Sequence, residues 1–317
     1  MNPPSLEPEI TITLPGGIPM VFRRIVDAGE TAEFWRGSRG GYADEEPRHR
    51  VRLQQPFYLG VTPVTQAQYR AMAVPCLAEL QRLDGNKGAD PSHLKGDDRP
   101  VEQVDFQDAE VVAGWLSASG LLQAAGLAKT AQACLPTEAQ WEYACRAGTE
   151  TEYWSGDGAA ALAEVGWYEG NAGGGTHPVG EKPANAFGLH DMHGNVWEWC
   201  RDAWDAAAYR PCPDGVIDPW VRRDEKSGRV LRGGSWRSSA GGCRSAFRDW
   251  LGAGLRDWGD GFRLCLLPGP VAAQPGKKRS GALTGGGRRG TSRTPEVGGG
   301  AGIDLSAERG PKPQRPA

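Results

Sequence analysis

Gly188-Leu189-His190-Asp191-Met192-His193-Gly194-Asn195-Val196-Trp197-Glu198-Trp199 is the stretch on which the fold turns. His190 and His193 stand three apart, as on one helical turn, a spacing that lets two imidazoles face one metal ion. Glycines at 188 and 194 flank them, and paired glycines predict a turn instead of a helix. The two histidines therefore read as structural, and Trp197 and Trp199 read as core rings.

Reading outward from this turn, the clearest element upstream is Glu138–Arg146. Thr137 caps it with Gln140 at the third helical position, a capping box, and Pro136 stands before the cap. Trp141, Ala144 and Cys145 fall on one face, and Gly148 supplies a stop. A second helix begins at Asp105 or Gln107 and runs through Leu116, with Val112, Trp115 and Leu116 together. Thr65-Gln66-Ala67-Gln68 predicts a short third helix by the same capping pattern. Val21–Ile25 and Arg50–Leu53 read as short strands, with a Gly-rich acidic surface loop over Gly37–Pro47 between them. Residues 83–99 are polar and turn-rich. Residues 1–20 read as a loose lead-in. Downstream, 230–236 and 261–265 read as strands. Past Pro268 the chain collapses to Gly, Pro, Ser, Ala and Arg, which predicts a disordered tail over 268–317. There is no internal repeat.

Composition agrees with a loop-rich core. Of 317 residues, 46 are Gly and 24 Pro, yet 12 are Trp, and disordered chains are poor in aromatics. Net charge is −3, with nine Lys/Arg against three Asp/Glu from 271 to 317, so the tail carries +6 and the remainder −9. An acidic body speaks against nucleic acid as its partner, and the basic tail reads as a solvated linker. The seven cysteines form no CxxC and suggest no paired zinc site. No apolar run is long enough to span a membrane, and no signal peptide opens the chain, so a cytoplasmic protein with reduced thiols is expected.

These segments, in this order, resemble one family. Phe57-Tyr58-Leu59-Gly60 with Pro63-Val64-Thr65 is similar to the N-terminal signature of the formylglycine-generating-enzyme (sulfatase-modifying-factor) family. Leu135–Ala144 resembles its helix motif, and 188–199 its central signature. Arg232-Gly233-Gly234-Ser235-Trp236 and Gly261-Phe262-Arg263 resemble its two C-terminal strands. The resemblance covers residues 21–267. It implies an α+β, C-type-lectin-like fold: a small twisted antiparallel sheet, two helices and much irregular chain.

The family's copper-dependent oxidase uses two cysteines separated by four residues after the Gly-Gly-Ser strand, since two thiolates hold soft Cu(I). Here the second falls on Cys243 and the first on Ser238, whose neutral hydroxyl is no substitute for a thiolate. No copper is expected, and Cys243 reads as a small buried residue. The family's related iron-dependent sulfoxide synthases need a His-rich triad from an added N-terminal helical domain. This chain has five, His49, His93, His177, His190 and His193, with no His-x-x-x-His. The resemblance also implies a structural calcium at Asn195, Val196 (backbone oxygen) and Glu198, since calcium takes carboxylate, amide and carbonyl oxygens. The alternative at Glu198 is a carboxylate that caps backbone N–H groups.

Residues 237–260 carry the remaining signal. Relatives place many Asn here, whereas this chain has no Asn from 202 to 317. Diversity-generating retroelements randomise adenines in the C-terminal repeat of proteins with this fold, which turns Asn codons into Ser, Gly, Asp, Arg or Leu codons. The chain resembles the variable proteins of those elements, which end near a Gly-Phe-Arg-Leu strand. The candidate ligand-binding face is Arg237, Ser238, Ser239, Gly242, Phe247, Asp249, Trp250, Leu251, Gly252, Leu255, Asp257, Trp258 and Asp260, with the two tryptophans as anchors. The expected function is non-catalytic binding of a protein or small-molecule ligand. The alternative is an oxidoreductase of the formylglycine-generating type with an altered site.

Overall fold

Glu9–Leu14 (β1) runs Glu-Ile-Thr-Ile-Thr-Leu, and its burial follows the alternation: Ile10, Ile12 and Leu14 lie inside, Glu9, Thr11 and Thr13 outside. It pairs antiparallel with Ile18–Val26 (β2), placing Ile12 opposite Met20. The expected lead-in over residues 1–20 is thus corrected. Its residues Glu9–Leu14 form the edge strand of a sheet, because a half-buried strand gains its apolar face only by covering the core beside a second strand. The computed structural model describes residues 6–83, 85, 88–222 and 228–269, all within the unit Met1–Gln274. The proposed tail lies, from residue 270 on, outside the described residues.

The chain continues through Ala32–Arg36 (β3), His49–Leu53 (β4) and Phe57–Gly60 (β5). Helices Gln66–Ala73 (α1), Leu77–Leu80 (α2), Phe106–Ala118 (α3) and Leu121–Ala124 (α4) follow. Then come Gln132–Cys134 (β6), Glu138–Arg146 (α5) and Gly158–Val165 (α6). The last part holds Trp197–Ala203 (β7), Val216–Ile217 (β8), Arg229–Arg232 (β9), Asp249–Leu251 (β10), Asp260–Gly261 (β11) and Cys265–Leu267 (β12).

Three small sheets result, with orders β1-β2-β5-β12-β6, β10-β9-β7-β11 and β3-β4-β8. Strands β5 and β12 are neighbours although some 200 residues apart in sequence, so the C-terminal strand closes the first sheet at its middle. The short β7·β11 and β4·β8 ladders are parallel and the rest antiparallel. This is the α+β architecture expected. The three capped helices are also where expected, and Thr65, Asp105 and Thr137 each close a full capping box. The strand expected at 261–265 is instead two, β11 and β12, broken at Phe262–Leu264.

One core region packs Phe22, Tyr58, Leu116, Trp199 and Phe262 between the first sheet and α1 and α3. A second packs Val51, Phe57, Trp141, Met192 and Val230. The central turn joins them. Gly194 adopts a left-handed backbone (φ 81°), and a Cβ there would lie 2.0 Å from the Trp167 carbonyl oxygen, so only glycine fits. Residues 188–196 are turn and not helix, as the flanking glycines predicted.

Candidate binding surface at the C-terminal segment

After β9 the chain must leave the sheet sharply. Gly233 and Gly234 make the bend with φ of 95° and 77°. A Cβ at Gly234 would sit 2.4 Å from the Cys243 sulfur, so the bend is closed over that thiol. Ser238 then caps the turn: its Oγ accepts from the Ser235 N–H at 2.9 Å, and its own N–H donates to the Ser235 carbonyl at 2.9 Å. Cys243 is fully buried, and burial pushes its thiol far above the usual range. The expectation that Cys243 is a packed residue holds.

Five arginines tie this segment to the body. Arg232 reaches Glu142 at 2.6 Å and donates to the carbonyls of Ser245, Ala246 and Phe247. Arg244 forks onto Glu45 at 2.9 and 2.7 Å, and Arg248 forks onto Glu138 at 2.6 and 2.9 Å. Arg256 meets Asp105 at 2.7 Å and Asp108 at 2.9 Å. Arg263 forks onto Glu198 at 2.7 Å on both oxygens. Burial alone would raise the Glu138 carboxyl, but Arg248, Arg36 and Arg232 overcome it and hold the group well below the usual carboxylate range. A charge this deep persists only when paired and hydrogen-bonded.

The residues expected to form one binding face separate into three kinds. Trp250 (43% exposed), Leu255 (58%) and Trp258 (45%) are large apolar side chains open to water, and Ser239 is exposed too. Arg237, Ser238, Asp249, Gly252 and Asp257 are half-buried. Gly242 and Asp260 are buried and leave the face, because the turn over Cys243 and the β11 pairing enclose them. Phe247 and Leu251 also leave it: they are half-buried side chains packed on the core, with Phe247 edge-on to Tyr42 and tilted against Trp197.

Two aromatic clusters remain. Trp258 stacks on His93 with centroids 4.2 Å apart, its carbonyl accepts from Trp236 Nε1 at 3.1 Å, and Arg237 pairs with Asp257 at 3.1 Å beside it. Trp250 stacks near Trp204 on β10, an edge strand. His93, Trp204 and Trp236 were missed as site residues. His93 lies in a stretch that reads only as polar turns, and nothing local marks it as a stacking partner for a residue 165 positions away.

The expected calcium ligands are already engaged. Asn195 Oδ1 accepts from the His177 N–H at 3.0 Å and its Nδ2 donates to the His177 carbonyl at 3.1 Å. Both Glu198 oxygens accept from Arg263, and Trp141 Nε1 adds a third bond at 2.6 Å. A divalent cation would have to displace a buried guanidinium, so these residues do not fit one. The alternative at Glu198 is also corrected in detail, since its carboxylate takes side-chain donors from Arg263 and Trp141. Among the described residues no three His, Cys, Asp or Glu side chains converge as metal ligands. His193 is sealed: it bonds the Cys243 carbonyl at Nδ1 (2.8 Å) and accepts from the Trp154 N–H at Nε2 (3.1 Å). Burial lowers it to about 4. No helix among the described residues is long and apolar enough to cross a membrane.

The chain resembles known proteins in sequence and in fold. The profile of the family described as the sulfatase-modifying factor enzyme 1-like domain matches residues 7–266. The chain is 31% identical over 253 residues to serine/threonine-protein kinase pkn1 of Chlamydia caviae, covering 74% of this chain and 36% of that one. It is 43% identical over 117 residues to the formylglycine-generating enzyme of Mycobacterium tuberculosis, about a third of each (32% and 32%). The chain thus spans little more than a third of the length of the first of these relatives. Treponema denticola variable protein 1 superposes with a TM-score of 0.68 at 28% identity, over 82% of this chain and 99% of that one.

Proposed function

Because the chain belongs to the sulfatase-modifying factor enzyme 1-like domain family, we propose that it uses that C-type-lectin-like fold as a rigid scaffold for binding without catalysis. The ligand is a protein or small molecule, and it meets Arg237, Ser239, Trp250, Leu255, Asp257 and Trp258. One observation carries the reading. Where the resemblance puts the copper-binding pair, Ser238 is spent on capping a turn and Cys243 is sealed under Gly234. Neither offers a thiolate to solvent, and the thiolate is the species that binds soft metal and does chemistry.

The exposed aromatics supply what the lost chemistry does not. Tryptophans backed by a stacked ring and ringed by a charge pair are the residue types on which binding energy concentrates. The buried Arg232, Arg248 and Arg263, with the partly buried Arg244 and Arg256, hold the backbone and leave the outward positions open to change. That division suits a surface diversified by a retroelement, and the likeness to variable protein 1 supports it.

Two measurements test the reading. Purified protein is titrated with Cu(I) against a chromogenic chelator and assayed for oxygen consumption with a cysteine-containing peptide. Neither tight binding nor turnover is expected, and sustained turnover would restore the oxidoreductase reading. A phage library of random peptides is then panned on the immobilised chain. Selected peptides should lose binding to Trp258→Ala at least tenfold while that variant keeps a native melting curve. Equal binding to the variant removes Trp258 from the site.

A further inference from the structure

The seven cysteines are dispersed through the fold, but two of them meet across a ladder. Cys134 of β6 and Cys265 of β12 stand directly opposite each other in antiparallel register. Residues so paired have Cα atoms about 4.5–5.5 Å apart and side chains on one face. A disulfide accepts Cα separations of about 4.4–6.8 Å, so the backbone already has the geometry of a cross-strand bridge. The two thiols also differ in access. Cys134 is half-buried on β6, the edge strand of the five-stranded sheet, and Cys265 is fully buried beside it. The Arg201 guanidinium donates to the Cys134 sulfur at 3.8 Å. Cys76 and Cys212 instead turn back on the carbonyls four residues earlier, Met72 and Ala208.

We infer that Cys134 and Cys265 form a reversible thiol–disulfide couple oxidised by a peroxide. The Cys134 thiolate attacks one peroxide oxygen, the O–O bond breaks, and the second oxygen leaves as hydroxide. Cys134 becomes a sulfenic acid. The Cys265 sulfur then attacks the sulfenic sulfur, the S–O bond breaks, and the Cys265 proton leaves with the hydroxyl as water. Two thiols have lost two electrons and the peroxide has gained them. Cys134 suits the first role: the adjacent Cys265 thiol and Arg201 together lower its pKa against burial. Cys265 suits the second, since burial and Cys134 raise it and keep it from reacting first. The bridge would fasten β12, the strand that follows the candidate surface, to the sheet edge, where a ladder of only three residue pairs now holds it.

The test treats the reduced full chain with hydrogen peroxide and maps peptides by mass under non-reducing conditions. The expected result is a Cys134 peptide joined to the Cys265 peptide, released by dithiothreitol, and a melting midpoint that rises on oxidation. Cys134→Ser, at the less buried position, should abolish both the link and the rise while its reduced form melts as the parent does. Arg201→Gln should slow link formation several-fold near neutral pH. The proposal is overturned if Cys134 is recovered as free thiol or as sulfinic acid with Cys265 unlinked, in protein whose melting curve is native. It stands or falls independently of the ligand-binding reading.

Discussion

Glu138 shows how much one residue can hold. It is the first residue of α5, and its carboxylate accepts from Arg248 and Arg36 and lies 3.4 Å from Arg232. These arginines come from three separate parts of the chain, so no local pattern announces the cluster. In the sequence Glu138 is simply an acid after a cap, favoured there by the helix dipole. Replacing Glu138 with Gln leaves buried guanidinium groups short of a carboxylate. Breaking a buried pair in this way costs about 3–5 kcal/mol. Urea unfolding should show the midpoint falling accordingly, and a loss within about 0.5 kcal/mol would mean that the cluster tolerates excess positive charge. The same deep pairing explains why Arg232, Arg248 and Arg263 are framework, while Trp250 and Trp258, a few residues from them, face solvent.

At the scale of elements, capping chemistry was the most legible signal. Thr65, Asp105 and Thr137 each accept from the N–H three residues on, and Gln68, Asp108 and Gln140 return the bond. Thr137→Ala should cost about 1 kcal/mol, read as a lowered thermal midpoint with the fold intact. A neutral effect would mean that packing of Trp141 alone sets the start of α5. Helix α6 was not anticipated, and its start shows why. Asp157 occupies the cap position but accepts from the Glu152 N–H at 2.8 Å instead of capping. Packing of Leu162 against Tyr153 and Cys243 holds it, which local propensity does not encode. Strand β1 was legible in its alternation and was still missed, since a single short alternating run gives no sign of the sheet it joins.

For the whole molecule, buried titratable groups set opposing responses to acid. Burial lowers His193 from 6.5 to about 4, so its contribution is full above pH 6.5 and is lost as pH falls toward 4. Burial raises Asp202 and Asp105 from 3.8 to about 6, so theirs is full below 3.8 and is lost as pH rises through 6. Across pH 4–6 the folded chain holds two extra protons on the aspartates, and the unfolded chain holds one on His193. From these three groups stability therefore falls as pH rises through that window. His193→Gln removes the opposing proton, so the fall between pH 4.5 and 6 should steepen by about 1.5 kcal/mol in chemical denaturation. An unchanged slope would show that His193 titrates normally.

By itself the sequence determined the capped helices, the central glycine-flanked turn, the family and the loss of the cysteine pair. Each of these is written in neighbouring residues, where a cap, a φ above zero or a missing thiol acts locally. Only the tertiary structure decided which of residues 237–260 face outward, that Glu198 answers Arg263, that Trp258 rests on His93 and that Cys134 lies against Cys265. Those relations join residues far apart in sequence through burial and pairing, and such contacts exist only once the sheets have closed.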